Sequence, residues 1–166
     1  MTIMLVLSFL LAVALPAIAI WKTRDIPVSI SSLVYLFDGN RKWLWSLWLG
    51  IVAFTLAPSL IESMPETWKF MGFLTLLSLV LTAAMPLFDK EHERWHHAFG
   101  IAAGVLSQIC VLLICPWWLL AWVLFPAALW LYYRKDAKYK FLLCYAFIAE
   151  CLCALAQYGA LLTEML

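Results

Sequence analysis

Apolar residues in this chain come in runs of about 20, separated by short polar stretches, with no period-two alternation within the runs. A run of that length crosses the roughly 30 Å hydrocarbon core of a bilayer as an α-helix, whereas barrel strands would alternate. The pattern predicts an all-α polytopic bundle, one transmembrane domain over residues 1–166. Its six short-looped helices are expected at about 2–21, 43–62, 68–88, 95–115, 116–133 and 141–162. Only Cys115-Pro116 divides the fourth run from the fifth. Proline cannot continue a helical ladder but suits the first position of the next helix, so a tight turn is expected there. Pro16, Pro58 and Pro126 lie inside runs and predict local bends.

Composition strengthens this picture. The 166 residues are 66% hydrophobic and 13% charged, and the mean hydropathy is +0.95, beyond what a soluble domain of this size carries. Leu15-Pro16-Ala17-Ile18-Ala19 resembles a signal-peptide cleavage site, but Met1–Met4 lack a positive n-region, so the first run is expected to stay as a helix. All five cysteines fall within spans and no C-x-x-C pair occurs, so they are read as small packed side chains.

Charge sets the expected orientation. Lys22, Arg24, Arg41, Lys42, Lys90, Arg94, Arg134, Lys135, Lys138 and Lys140 occupy the first, third and fifth loops, against Lys69 alone on the other side. The positive-inside rule then puts those loops in the cytoplasm and both termini on the outer face, as in a bacterial inner-membrane protein. A net charge of +1 gives no reason to expect nucleic acid as a partner; the basic loops suit anionic headgroups.

Polar residues inside spans are costly and therefore informative. Glu150 lies about 15 Å along the sixth run, near the midplane, and shares a face with Cys153 or Ala154 and Gln157. It reads either as a hydrogen-bonded helix link or as a proton-relay, ion or headgroup residue. On the fourth run, His96 or His97, Gly100, Gly104 and Ser107-Gln108 form one small and polar face. That face suits close helix packing, with Gly100-x-x-x-Gly104 as the contact, or the approach of a lipid. The fourth and sixth helices are expected to pack together, with Gln108 or Ser107 as partner to Glu150. The first loop, Ile26-Pro27-Val28-Ser29-Ile30-Ser31-Ser32-Leu33-Val34-Tyr35, is too apolar for a solvated linker. It is expected to lie in the interface or fold over the bundle mouth.

His92-Glu93-Arg94-Trp95-His96 matches the H-E-x-x-H pattern of zinc hydrolases. On a helix, His92 and His96 share a face and could hold one zinc, with Glu93 as catalytic base. The third ligand stays open among His97, Asp25, Asp38 and Asp136. A solvated helix start is the plain alternative, since Asp89, Glu91 and Glu93 are what a helix N-terminus favours. Between these lies a polar cluster of histidines at a cavity mouth, binding a phosphate-bearing headgroup with Arg94, Arg41 and Lys42.

With Pro27-Val28-Ser29-Ile30-Ser31 in the first loop and His96-His97-Ala98-Phe99-Gly100 opening the fourth span, the chain resembles the Frag/DRAM/Sfk group of six-span membrane proteins. That resemblance implies lipid-related chemistry, including lipid and GPI-anchor remodelling among its members, and carries Ser29, Ser31 and one of His96 and His97 as site residues. Three functions follow as expectations. One is an inner-membrane protein binding or handling a lipid or lipid-like molecule at a cytoplasmic-side polar site. The second is a zinc-dependent membrane hydrolase. The third is a transport, channel-like or effector protein, with Glu150, Gln157, Ser107 and Gln108 lining a path. Six spans in one chain leave little room for a pore, so a transport path requires a homo-oligomer.

Overall fold

The computed structural model describes residues 1–37, 41–85, 93–135 and 141–165. Six α-helices follow one another: α1 (Thr2–Thr23), α2 (Trp43–Ser63), α3 (Lys69–Ala84), α4 (Glu93–Ile114), α5 (Leu124–Lys135) and α6 (Phe141–Met165). Short 3-10 helices at Ser31–Leu36, Glu66–Trp68 and Pro116–Val123 join them, and no strand occurs among the described residues. Five helices are long and apolar enough to cross a membrane: Thr2–Thr23, Trp43–Ser63, Glu66–Ala84, Arg94–Ile114 and Cys144–Met165. A helix pairs most of its backbone donors and acceptors within itself, the condition that hydrocarbon imposes.

The expected span at 116–133 needs correction. The chain there is a 3-10 helix of 8 residues followed by an α-helix of 12. It is apolar but falls short of the other five as a continuous α-helical span. Pro126 consequently sits in the first turn of α5, where its missing N–H costs no ladder bond, and not in the middle of a span. Pro16 and Pro58 do lie inside α1 and α2.

Neighbouring helices run antiparallel from α1 to α4. Trp48 on α2 donates its indole N–H to the Leu11 carbonyl of α1 at 2.7 Å, and Ser8 donates to the Val52 carbonyl at 3.0 Å. His96 on α4 meets the Thr82 carbonyl of α3, and Cys110 lies 3.4 Å from the Thr75 hydroxyl. Helices α4 and α6 instead run parallel: Gly104 faces Cys153, while Val111 packs with Ala156 and Ala160 further along both. Two parallel neighbours require the chain between them to run back along the bundle. The 115–135 segment does so, with Trp118 beside Gly159 and Thr163, and Trp122 further back beside Gln108.

Two apolar clusters mark the two ends. One joins Leu5, Leu56, Leu60, Met64, Cys110, Tyr158 and Leu161. The other joins Ala19, Leu33, Val34, Trp45, Leu49 and Ala83, so the first loop contributes two of its buried members. Large apolar side chains such as Ile3, Phe54, Phe73, Ile101 and Val123 remain exposed around the girth, the surface that lipid would cover. Exposed Trp21, Trp43 and Trp95 ring the first-loop end, and Trp68 and Trp117 the opposite end, the two-belt arrangement of membrane proteins.

Candidate functional site

Loop one is the element that the bundle uses to close its more basic end. Helix α1 stops at Arg24, whose φ of 58° is left-handed, while its N–H still reaches the Ile20 carbonyl at 2.8 Å. Beyond Pro27 the loop turns into the Ser31–Leu36 3-10 helix, and Ser29 and Ser32 stabilise that start reciprocally. The Ser32 N–H donates to Ser29 Oγ at 3.0 Å, the Ser29 N–H donates to Ser32 Oγ at 3.2 Å, and the Ser32 hydroxyl donates to the Ser29 carbonyl at 2.6 Å. This is capping chemistry at the scale of one turn. Leu33 and Val34 are then driven into the core against Trp45.

Two hydrogen bonds lay the loop along α6. The Phe147 N–H donates to the Val28 carbonyl at 3.1 Å. One turn further on, the Glu150 carboxylate accepts from the Ile30 N–H. Glu150 therefore holds the loop to the sixth helix, and the expected partners Gln108 and Ser107 are engaged elsewhere. The Gln108 amide donates to Ser107 Oγ at 3.0 Å and to the Cys153 carbonyl at 3.3 Å, and its oxygen accepts from the Trp122 indole at 2.9 Å. Gln108 thus ties α4, α6 and the Pro116–Val123 3-10 helix together. The expected packing of α4 on α6 is present; the expected Glu150 partner is replaced by a loop backbone N–H.

The paired glycines of α4 also divide their roles. A Cβ at Gly100 would lie 3.8 Å from Thr82 on α3, and one at Gly104 would lie 3.8 Å from Cys153 on α6. Both are ordinary contacts, so neither glycine enforces a close approach. Gly159, which no sequence pattern singled out, is the tight position. A Cβ there would come within 2.4 Å of the Trp118 ring.

His96 and His97 separate. His96 is 8% exposed, with Nδ1 at 3.0 Å from the Thr82 carbonyl and its ring 5.6 Å from that of Trp45. A carbonyl only accepts, so Nδ1 carries the proton. His97 and Arg94 are exposed on the outside of the same turn region, beside exposed Trp95. Among the described residues, no three His, Cys, Asp or Glu side chains gather to hold a metal ion. His92, Asp38 and Asp136 lie outside the described residues, as does the side chain of Glu93, so the structure does not describe the H-E-x-x-H pair as a unit. Ser31 is half-buried at the start of its 3-10 helix, and Ser29 has its hydroxyl in the cap.

Four buried polar side chains lack a hydrogen-bond partner among the described residues. Gln157, 4% exposed, has neither amide atom hydrogen-bonded; Ser46, Ser59 and the Trp45 indole N–H share that condition. Internal water is the usual partner of such groups. The remaining buried hydroxyls mostly bond their own helix: Thr55 donates to Ile51, Thr75 to Met71 and Thr82 to Ser78, each at 2.8 Å.

Comparison with protein-family models, with curated proteins and with solved structures gives no match to this chain. The class that the fold defines is accordingly broad: a helical protein with five long apolar helices, suited to residence in a membrane.

Proposed function

We propose that this chain is an integral membrane protein that binds a lipid or lipid-like molecule, through its phosphate-bearing headgroup, at the end closed by loop one. The observation that carries the reading is the fixing of loop one on α6 by Val28 and Ile30. It brings Ser29 and Ser31 over the sixth helix at the same end as exposed Arg24, Arg41, Arg94 and His97. A short, apolar loop with capped serines and cations around it suits a headgroup at the boundary, with acyl chains on the exposed apolar girth. In this reading the basic end faces the cytoplasm, the membrane is a bacterial inner membrane, and the likeness of loop one and of the α4 start to the Frag/DRAM/Sfk group has a lipid-related meaning.

Native mass spectrometry of protein released from detergent tests the proposal. It predicts a retained phospholipid, with retention falling several-fold in an Arg94→Ala/His97→Ala double variant that unfolds at the wild-type temperature. Retention unchanged by the double variant, or no retained lipid at all, would remove the site. Cysteine accessibility at Thr23→Cys and Ser63→Cys, in a background without native cysteines, tests orientation: Thr23→Cys should be labelled only from the cytoplasm.

A further inference from the structure

The opposite end of the molecule carries a groove that the loop-one reading does not use. It has a volume of about 620 Å³ and lies between the last turns of α2, the Glu66–Trp68 3-10 helix and the first turns of α3. Its wall is apolar, from Pro58, Ile61 and Phe73; its mouth is charged, from Glu62, Glu66 and Lys69. Pro58 and Phe73 are exposed on the surface that faces lipid, so the groove opens sideways toward the bilayer as well as toward the headgroup layer. Trp68, 42% exposed and next in sequence to Lys69, places the mouth at the boundary where indoles reside.

We propose that this groove binds a phospholipid whose headgroup carries an ammonium, an aminophospholipid, with its acyl chain along Phe73 and Ile61. The argument is charge order. The Lys69 ammonium is held at 2.6 Å from one Glu66 carboxylate oxygen, which fixes the cation beside the apolar wall. A lipid phosphate docking on Lys69 brings the rest of its headgroup toward Glu62 and Glu66, which together outnumber the lysine. A headgroup ending in an ammonium completes an alternating set of charges there. A glycerol headgroup would leave Glu62 unmatched and set a second anion beside the Lys69–Glu66 pair, and a free phosphate would gain nothing from the apolar wall. Near the membrane surface such a pairing is screened less than in bulk water, so selectivity is its expected signature. The site differs from the loop-one site in position and in sign of charge, and does not depend on it.

The test is competition in nanodiscs containing equal phosphatidylethanolamine and phosphatidylglycerol, read as the ratio of the two lipids retained by the full chain after detergent extraction. Wild type should enrich phosphatidylethanolamine severalfold over the input. Glu62→Gln/Glu66→Gln should lose or reverse that enrichment, and Phe73→Ala should lower total retained lipid and move the ratio toward the input. Glu164→Gln, an exposed acid outside this groove, should leave both readings at wild type. Arg94→Ala/His97→Ala, at the loop-one end, should also leave the ethanolamine enrichment in place, which separates failure here from failure of the loop-one reading. A wild-type ratio equal to the input, or an enrichment that survives the Glu62/Glu66 double variant at unchanged thermal stability, would overturn the proposal.

Discussion

Gly159→Ala should be the most damaging single methyl addition in the membrane part of the molecule. The added carbon would sit 2.4, 2.5 and 2.5 Å from three atoms of the Trp118 ring, where carbon atoms prefer about 3.5–4.0 Å. Those atoms belong to the six-membered ring of the indole and cannot swing aside as a flexible chain end would. Relief requires the ring to move by about 1 Å or more, which stretches the 2.9 Å bond from its indole N–H to Thr163 Oγ1. Overpacking of this kind costs about 1–3 kcal/mol, and losing the indole bond adds about 0.5–1.5 kcal/mol. Thermal unfolding in detergent, followed by loss of the monodisperse peak, should show a clear fall in Tm. A double-mutant cycle with Trp118→Leu isolates the cause, because the smaller side chain leaves room for the methyl group. Gly159→Ala should cost much less in the Trp118→Leu background. Equal costs in both backgrounds, or an unchanged Tm in the single variant, would refute the docking of the Pro116–Val123 helix on α6.

Other substitutions separate the remaining contacts. Glu150→Leu should release loop one, seen as amide exchange at Ile30 faster by on the order of ten-fold, corresponding to about 1–3 kcal/mol for a stranded donor. Glu150→Gln keeps an accepting oxygen and should leave that exchange near wild type. Gln108→Leu removes three hydrogen bonds among α4, α6 and the 3-10 helix and strands the Trp122 indole. It should lower stability by about 1–3 kcal/mol in chemical denaturation, whereas Gly104→Ala, with 3.8 Å of room, should change it by less than about 1 kcal/mol. His96→Ala should destabilise through the lost Thr82 and Trp45 contacts, and zinc content measured by elemental analysis should be the same before and after the substitution.

The long spans were legible because hydrocarbon forces each crossing segment to satisfy its own backbone, and the apolar runs record that demand directly. The α2 start at Trp43 and the α4 end at Ile114 fall within a residue of the expected bounds. Residues 116–133 broke the pattern for a tertiary reason. Trp118 and Trp122 each carry an indole donor that hydrocarbon cannot satisfy, and their acceptors, Thr163 and Gln108, lie at different heights on α6 and α4. A 3-10 helix rises about 2.0 Å per residue against 1.5 Å in an α-helix, which spreads the two rings along the bundle. The tight position, Gly159, was hidden because one glycine in an apolar run has no pattern, while the more visible Gly100 and Gly104 proved to face different helices. For Glu150, polarity announced that a partner was needed. Its identity was unreadable, because a backbone N–H such as that of Ile30 exists at nearly every position. Histidine spacing gave a shared helical face for His92 and His96, but the Thr82 carbonyl that orients His96 comes from another helix.

Photo-crosslinking with a phospholipid that carries its reactive group in the headgroup, in nanodiscs and with adducts located by peptide mapping, tests the loop-one site most directly. At this end of the bundle the account predicts adducts in loop one around Ser29 and Ser31, at the start of α4 around Arg94 and His97, and beside Glu150 on α6, and it predicts their loss from loop one in Glu150→Leu. Absence of adducts from loop one and the α4 start, or a loop-one signal indifferent to Glu150→Leu, would contradict it.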